Sequence, residues 1–365
     1  MSYSPFRHAG AVLAKKPVHL TFFVTKRCNA KCPFCFYTNG DAQGADERSD
    51  RGAELSLDEV KRVSSSMGDL LWLALSGGET FLRDDLPEIV KTFYDKNRPA
   101  IILLPTNGIL PARIEEMTKE VLDYCKKSTV VVKLSLDSAE EEIHDNLRGV
   151  PGSFRKTMET YERLGKFLTE YRNFELGVNS VFCSLTEDGM DGLIEYVNGL
   201  SMIKTHTVSL VRGNVPEKLK QVDMRKYDEM AGRLCRGLRE GAASIYRFRG
   251  ARLKAAQDIL QRRFIKRTAM EKRALLPCYA GKLNLVLTEA GDVYPCELST
   301  EKMGNIKESA YDMGELIRGE KAESVLRKIK ETHCHCTHEC YMMTNILFNP
   351  RTYPVLFREY LRLLF

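Results

Sequence analysis

The chain has no run of eighteen or more apolar residues, so no helix of it is expected to span a bilayer. Met1 to Lys16 lacks the apolar stretch and small-residue cleavage site of a secretory signal, and the expected location is cytoplasmic. No histidine occurs between His19 and His144, and no cysteine follows Cys340. Both gaps limit the metal chemistry available. Composition excludes little else: 43% of the 365 residues are hydrophobic and 28% charged, as in ordinary globular proteins. The length suits one large α/β domain with a smaller module.

Eleven cysteines in a cytoplasmic chain argue for metal ligation over disulfides. Three stand at 28–35 and five at Cys278, Cys296, Cys334, Cys336 and Cys340, whereas Cys125, Cys183 and Cys235 stand alone as apolar fillers. The net charge of +6 is uneven, since residues 216–277 hold 17 Lys and Arg against 7 Asp and Glu. A solvated helical face explains such a stretch. The functional alternative is a surface for an anionic substrate, a carrier or a membrane headgroup, and no nucleic acid is expected.

Apolar strand patterns alternate with helical ones over the first two-thirds. Strands are expected at 18–25, 70–76, 100–106, 130–137, 174–182 and 205–211. Helices are expected at 57–68, the first after a Ser/Asp-rich loop, and at 84–96, 112–126, 154–171 and 187–198. Six units in alternation imply a parallel α/β sheet with function at the C-terminal strand ends. Residues 216–277 read as helical without strands. The tail 354–365 is amphipathic, suited to docking on its own domain or lying on a membrane surface.

Directly after the first strand, Cys28, Cys32 and Cys35 form C-x3-C-x2-C. Three thiolates can hold three irons of a 4Fe–4S cube and leave the fourth iron open, as a catalytic site requires. A zinc knuckle needs a fourth ligand nearby, and no histidine supplies one. Ser76, Gly77, Gly78, Glu79 and Thr80 end the second strand. Glycines admit close approach of a ligand, and the acid can accept from an ammonium. Lys133, Ser135 and Asp137 alternate with apolar residues, giving the fourth strand a polar face inside the barrel, which is costly unless something uses it. His206, between apolar neighbours, reads as a core residue.

The cysteine spacing, the aromatic Phe34 before the third cysteine and the Gly77–Glu79 motif together resemble the radical S-adenosylmethionine (SAM) superfamily. The resemblance implies a partial (β/α)6 TIM-like barrel over residues 1–215 and a SAM-binding 4Fe–4S cluster on Cys28, Cys32 and Cys35. One electron from a flavodoxin- or ferredoxin-type donor would cleave SAM to a 5′-deoxyadenosyl radical that abstracts hydrogen from substrate. It further implies SAM contacts at Phe34, Gly77, Gly78, Glu79, Asn107, Ser135, Arg148 and Asn179, with a surface ion pair as the alternative for Arg148.

Cys278, Gly291 and Cys296, followed by Cys334, Cys336 and Cys340, resemble the SPASM/twitch auxiliary-cluster modules, here residues 278–345. Five cysteines where the full pattern has seven imply one auxiliary 4Fe–4S cluster. Its expected ligands are Cys278, Cys296, Cys336 and Cys340, with Cys334 a substitute or free; zinc on His333, His335 or His338 is the rival. Peptide-modifying members often begin with a separate recognition domain. Residues 1–27 are too few for one, so a small molecule, sugar or lipid precursor is expected ahead of a peptide. The alternatives are a peptide maturase and a non-catalytic iron–sulfur or zinc regulator.

Overall fold

The computed structural model describes residues 3–8, 10–14, 16–38, 54–241 and 245–364. The Ser/Asp-rich loop expected before residue 57 lies largely outside them. Six strands run parallel: β1 (His19–Thr25), β2 (Trp72–Gly77), β3 (Ile101–Thr106), β4 (Thr129–Ser135), β5 (Phe174–Phe182) and β6 (Thr205–Leu210). β1 is buried along its whole length, because helices cover one side of the sheet and side chains fill the other.

A short α1 (Ala11–Ala14) precedes β1. The crossovers are α2 (Leu57–Ser66), α3 (Leu86–Asn97), α4 (Pro111–Tyr124), then α5 (Glu141–Arg148), α6 (Ser153–Gly165) and α7 (Phe167–Glu170), and finally α8 (Met190–Gly199). A Ser56–Glu59 capping box starts α2. Sequence reading missed α5 and merged α6 with α7, which are separated at Lys166.

The sheet does not stop at six strands. β7 (Asn284–Leu287) pairs parallel to β1, and β8 (Asp292–Tyr294) and β9 (Gly304–Asn305) continue it antiparallel, giving the order β6-β5-β4-β3-β2-β1-β7-β8-β9. The C-terminal module therefore extends the barrel sheet at the β1 edge. The expected hairpin is β7–β8, with Gly291 at φ +91° in its turn, where a side chain would be strained.

The basic segment folds as α9 (Glu217–Lys220), α10 (Met224–Arg239) and α11 (Ala251–Glu271). It is not a free solvated face: Tyr227, Met230, Ala256, Leu260 and Ile265 join the main core. Next come α12 (Met313–Arg318), α13 (Glu320–Glu331), α14 (Glu339–Leu347) and α15 (Tyr353–Arg362). The tail helix α15 docks on α11, burying Leu356 and the Glu359 carboxylate, which takes Arg239 and Arg263 at 2.9 Å each. No described helix is long and apolar enough to cross a membrane.

Candidate active site

The loop after β1 is clamped by backbone. Gly78 N donates to Thr25 O and Glu79 N to Arg27 O, each at 2.8 Å. A Cβ on Gly77 would stand 2.3 Å from Thr25 O, and one on Gly78 2.0 Å from Arg27 O. The two glycines thus admit the cysteine loop itself, a partner that sequence reading did not consider. Gly77 also holds φ +125°, which side chains resist. The result is a loop pressed onto the C-terminal end of β2.

Glu79 is 2% exposed, and its carboxylate accepts from Phe81 N (3.2 Å), Thr106 Oγ1 (2.8 Å) and Asn107 N (2.8 Å). Burial pushes it above the usual carboxylate range, against those hydrogen bonds. Its side chain ties β2 to the end of β3, so it is already engaged within the protein. Asn107 continues the tie, donating through Nδ2 to Asn29 Oδ1 at 2.6 Å.

Cys32 is buried, Cys35 half-buried and Cys28 exposed. Thr38 Oγ1 donates to Cys35 Sγ at 3.1 Å, and Arg148 Nη1 to Cys32 Sγ at 3.5 Å. Burial pushes the Cys32 thiol up, and the Arg148 guanidinium opposes this. Arg148 is no surface residue: it is buried, paired with Asp137 and stacked near the Phe34 ring. Phe34 itself is buried with Ala30 and Leu147. Ser135 and Asn179 are register partners at the ends of β4 and β5, and Asn179 Oδ1 accepts from Ser209 Oγ at 3.2 Å.

The late cysteines divide differently from expectation. Cys278, Cys296, Cys334 and Cys336 face one cavity of about 280 Å³, whereas Cys340 faces the barrel interior. Cys334 thus shares the cavity of Cys278, Cys296 and Cys336, while Cys340 stands in the first turn of α14, which begins at Glu339. Burial pushes Cys296 and Cys336 up to about 12, reinforced by neighbouring thiols. Three half-buried thiols and the exposed Cys334 share this cavity, and thiols in one another's field ionise more readily beside a cation, which suits a cluster.

Among the described residues no three His, Cys, Asp or Glu side chains stand close enough for a single ion, and an iron–sulfur cube spaces its sulfurs more widely. His338 is turned away, donating from Nε2 to Glu297 Oε2 at 2.5 Å while Nδ1 accepts from Cys340 N at 3.2 Å.

Residues 22–179 match the Radical SAM superfamily, and residues 278–341 match the SPASM iron–sulfur cluster-binding domain. This is a radical SAM enzyme with a SPASM module. It is similar to AdoMet-dependent heme synthase of Methanosarcina barkeri, 26% identical over 310 residues and 82% of each chain. It is also similar to the subtilosin biosynthesis protein AlbA of Bacillus subtilis, 33% identical over 171 residues, which are 46% of this chain and 34% of that one. In fold it resembles anSMEcpe with bound AdoMet, at 18% identity and TM-score 0.58, covering 95% of this chain and 94% of that chain. SuiB of Streptococcus suis bound to S-adenosylmethionine gives 14% identity and TM-score 0.57 over 88% and 69% of the two chains. The enzyme uses a 4Fe–4S cluster, SAM and auxiliary iron–sulfur.

A cavity of about 240 Å³ lies inside the barrel of the radical SAM enzyme. Phe36, Ser76 and Asn179 line it on the loop side, and Glu297, His338 and Cys340 on the module side. Arg212, after β6, pairs with Glu339 at 2.7 Å across the same space. His206, expected in the core, is half-buried, lines a neighbouring pocket and is bonded to Ser180 Oγ at 2.9 Å.

Proposed function

We propose that the enzyme abstracts hydrogen from a small-molecule substrate held in the barrel cavity, with Cys28, Cys32 and Cys35 holding the SAM-binding cluster. When bound, cluster and SAM supply the 5′-deoxyadenosyl radical. Gly77, Gly78, Asn107, Ser135, Asn179 and Arg148 form the surroundings of SAM, with Glu79 acting through the β2–β3 tie. Cys278, Cys296, Cys334 and Cys336 hold one auxiliary 4Fe–4S cluster, and a flavodoxin- or ferredoxin-type protein supplies the electron.

The observation carrying this reading is the barrel cavity, lined by Phe36 just past the cysteine loop, by Ser76 of β2, and by Glu297, His338 and Cys340 of the module. An interior space of about 240 Å³, a little under the roughly 300–1,000 Å³ of common ligand pockets, leaves room for a small group of substrate more readily than for a folded partner. The name of the heme synthase similar over 82% of both chains gives the same direction. A second reading, a peptide-modifying maturase, is favoured by the 33% identity to AlbA.

Untargeted metabolite comparison between cells carrying the wild type and the Cys28/Cys32/Cys35→Ala variant separates the two. The reading expects a small compound to accumulate in the variant. Loss of a peptide modification with no change in small molecules would contradict it.

A further inference from the structure

Residues 216–277 fall outside both family matches, yet they build a wall of the barrel cavity. The buried side of α11 is unusually polar. Lys254 (6% exposed) and Gln261 (7%) line the cavity, together with Asp258 and Arg262. A helix that merely covers a core turns apolar residues inward, so a polar buried face implies something polar to meet it. From the strands, Lys133 of β4 enters the same space, 8% exposed.

The charges of the cavity are mostly neutralised in pairs. Arg212 takes Glu339, His338 takes Glu297, and Lys254 takes Asp258. Two cations are left over. Lys133 donates only to the neutral Thr207 hydroxyl, and Arg262 buries Nη1 with no acceptor. Among the described residues neither forms an ion pair. The positive field is felt nearby: burial, then Lys254, pushes Lys133 down to about 7, and burial, Lys133 and Arg262 push His206 down to about 3.

We infer that the barrel cavity takes its substrate by a carboxylate or phosphate group held between Lys133 of β4 and Arg262 of α11. The basic segment then sets the substrate class from inside the barrel. A guanidinium from a helix and an ammonium from a strand, lining one cavity, suit one multi-oxygen anion. The inference rests on the reading of this cavity as the substrate site.

Equilibrium dialysis of the cluster-loaded enzyme against labelled inorganic phosphate and, separately, labelled succinate tests it, with and without SAM. Saturable binding of one anion per chain is expected, and which probe binds tighter separates phosphate from carboxylate. Arg262→Gln and Lys133→Met should each weaken binding about tenfold or more, with partial rescue by Arg262→Lys. Arg225→Gln, an exposed arginine on α10, should leave it unchanged.

Absence of saturable binding, equal loss in Arg225→Gln, or one-for-one displacement by SAM would each overturn the inference. SAM cleavage, measured on the same preparation, keeps the failures apart. Cleavage without anion binding refutes the anion site alone. Anion binding without cleavage refutes the radical reading beneath it.

Discussion

The two thiol groups are assembled in opposite ways. Cys28, Cys32 and Cys35 lie within eight residues of one loop, pressed by backbone onto Gly77 and Gly78. Cys278, Cys296, Cys334 and Cys336 come from the flanks of a hairpin and the approach to α14, and only tertiary packing gathers them. The first site is a local device locked by neighbouring strand ends. The second depends on the sheet extension β7–β9 being in place. A local site should fail alone, whereas a gathered site is sensitive to which cysteine occupies which wall.

Gly78→Ala attacks the lock of the first site most directly. A Cβ placed 2.0 Å from Arg27 O forces the loop off β2, at about 1–3 kcal/mol. Iron analysis should show a loss of about four irons per chain with the auxiliary site retained, since only the local device is touched. Equal iron loss from both sites would break the contrast.

The second site is sharpened by a pair of variants. Cys334→Ala should lower iron by about four per chain, whereas Cys340→Ala should leave it near the wild-type value. The reverse pattern would restore the grouping expected from spacing.

The smallest effect concerns the space between the sites. Lys133 has a folded-state pKa of about 7, below its ordinary 10.5, with Lys254, Arg262, Asp258 and Cys340 facing it. Between those values the unfolded chain binds the extra proton, so stability rises with pH across that window, and below about 7 the penalty is present in full. Denaturant midpoints at pH 7 and 9 should differ by about 1–2 kcal/mol, and Lys133→Met should flatten the difference. An unchanged slope in that variant would place the titration elsewhere.

How much was legible follows from the same contrast. β5 is found at the bounds expected, because its turns and apolar run are local signals. The cysteine loop and Gly77–Glu79 were legible for the same reason. The partner of the two glycines was not, since a close approach to Thr25 O and Arg27 O involves residues fifty positions away.

Glu79 read as a free acceptor because its three donors come from the turn after β2 and the end of β3. Arg148 was open between a surface pair and a buried contact until α5, unrecognised in sequence, carried it under Cys32. The choice between Cys334 and Cys340 depended on where α14 begins, and a one-residue shift there turns a side chain through about 100°. The charge excess of 216–277 was visible, but its inward face was not, because Lys254 and Arg262 look like any other bases on a basic helix.

The central claim is that the loop at Cys28, Cys32 and Cys35 drives radical chemistry supported by a second cluster. Anaerobically reconstituted protein, given SAM and dithionite, tests it by release of 5′-deoxyadenosine. The account predicts that product from protein holding about eight irons per chain, and none from Cys32→Ala. A chain with its full complement of iron that releases no 5′-deoxyadenosine would contradict it.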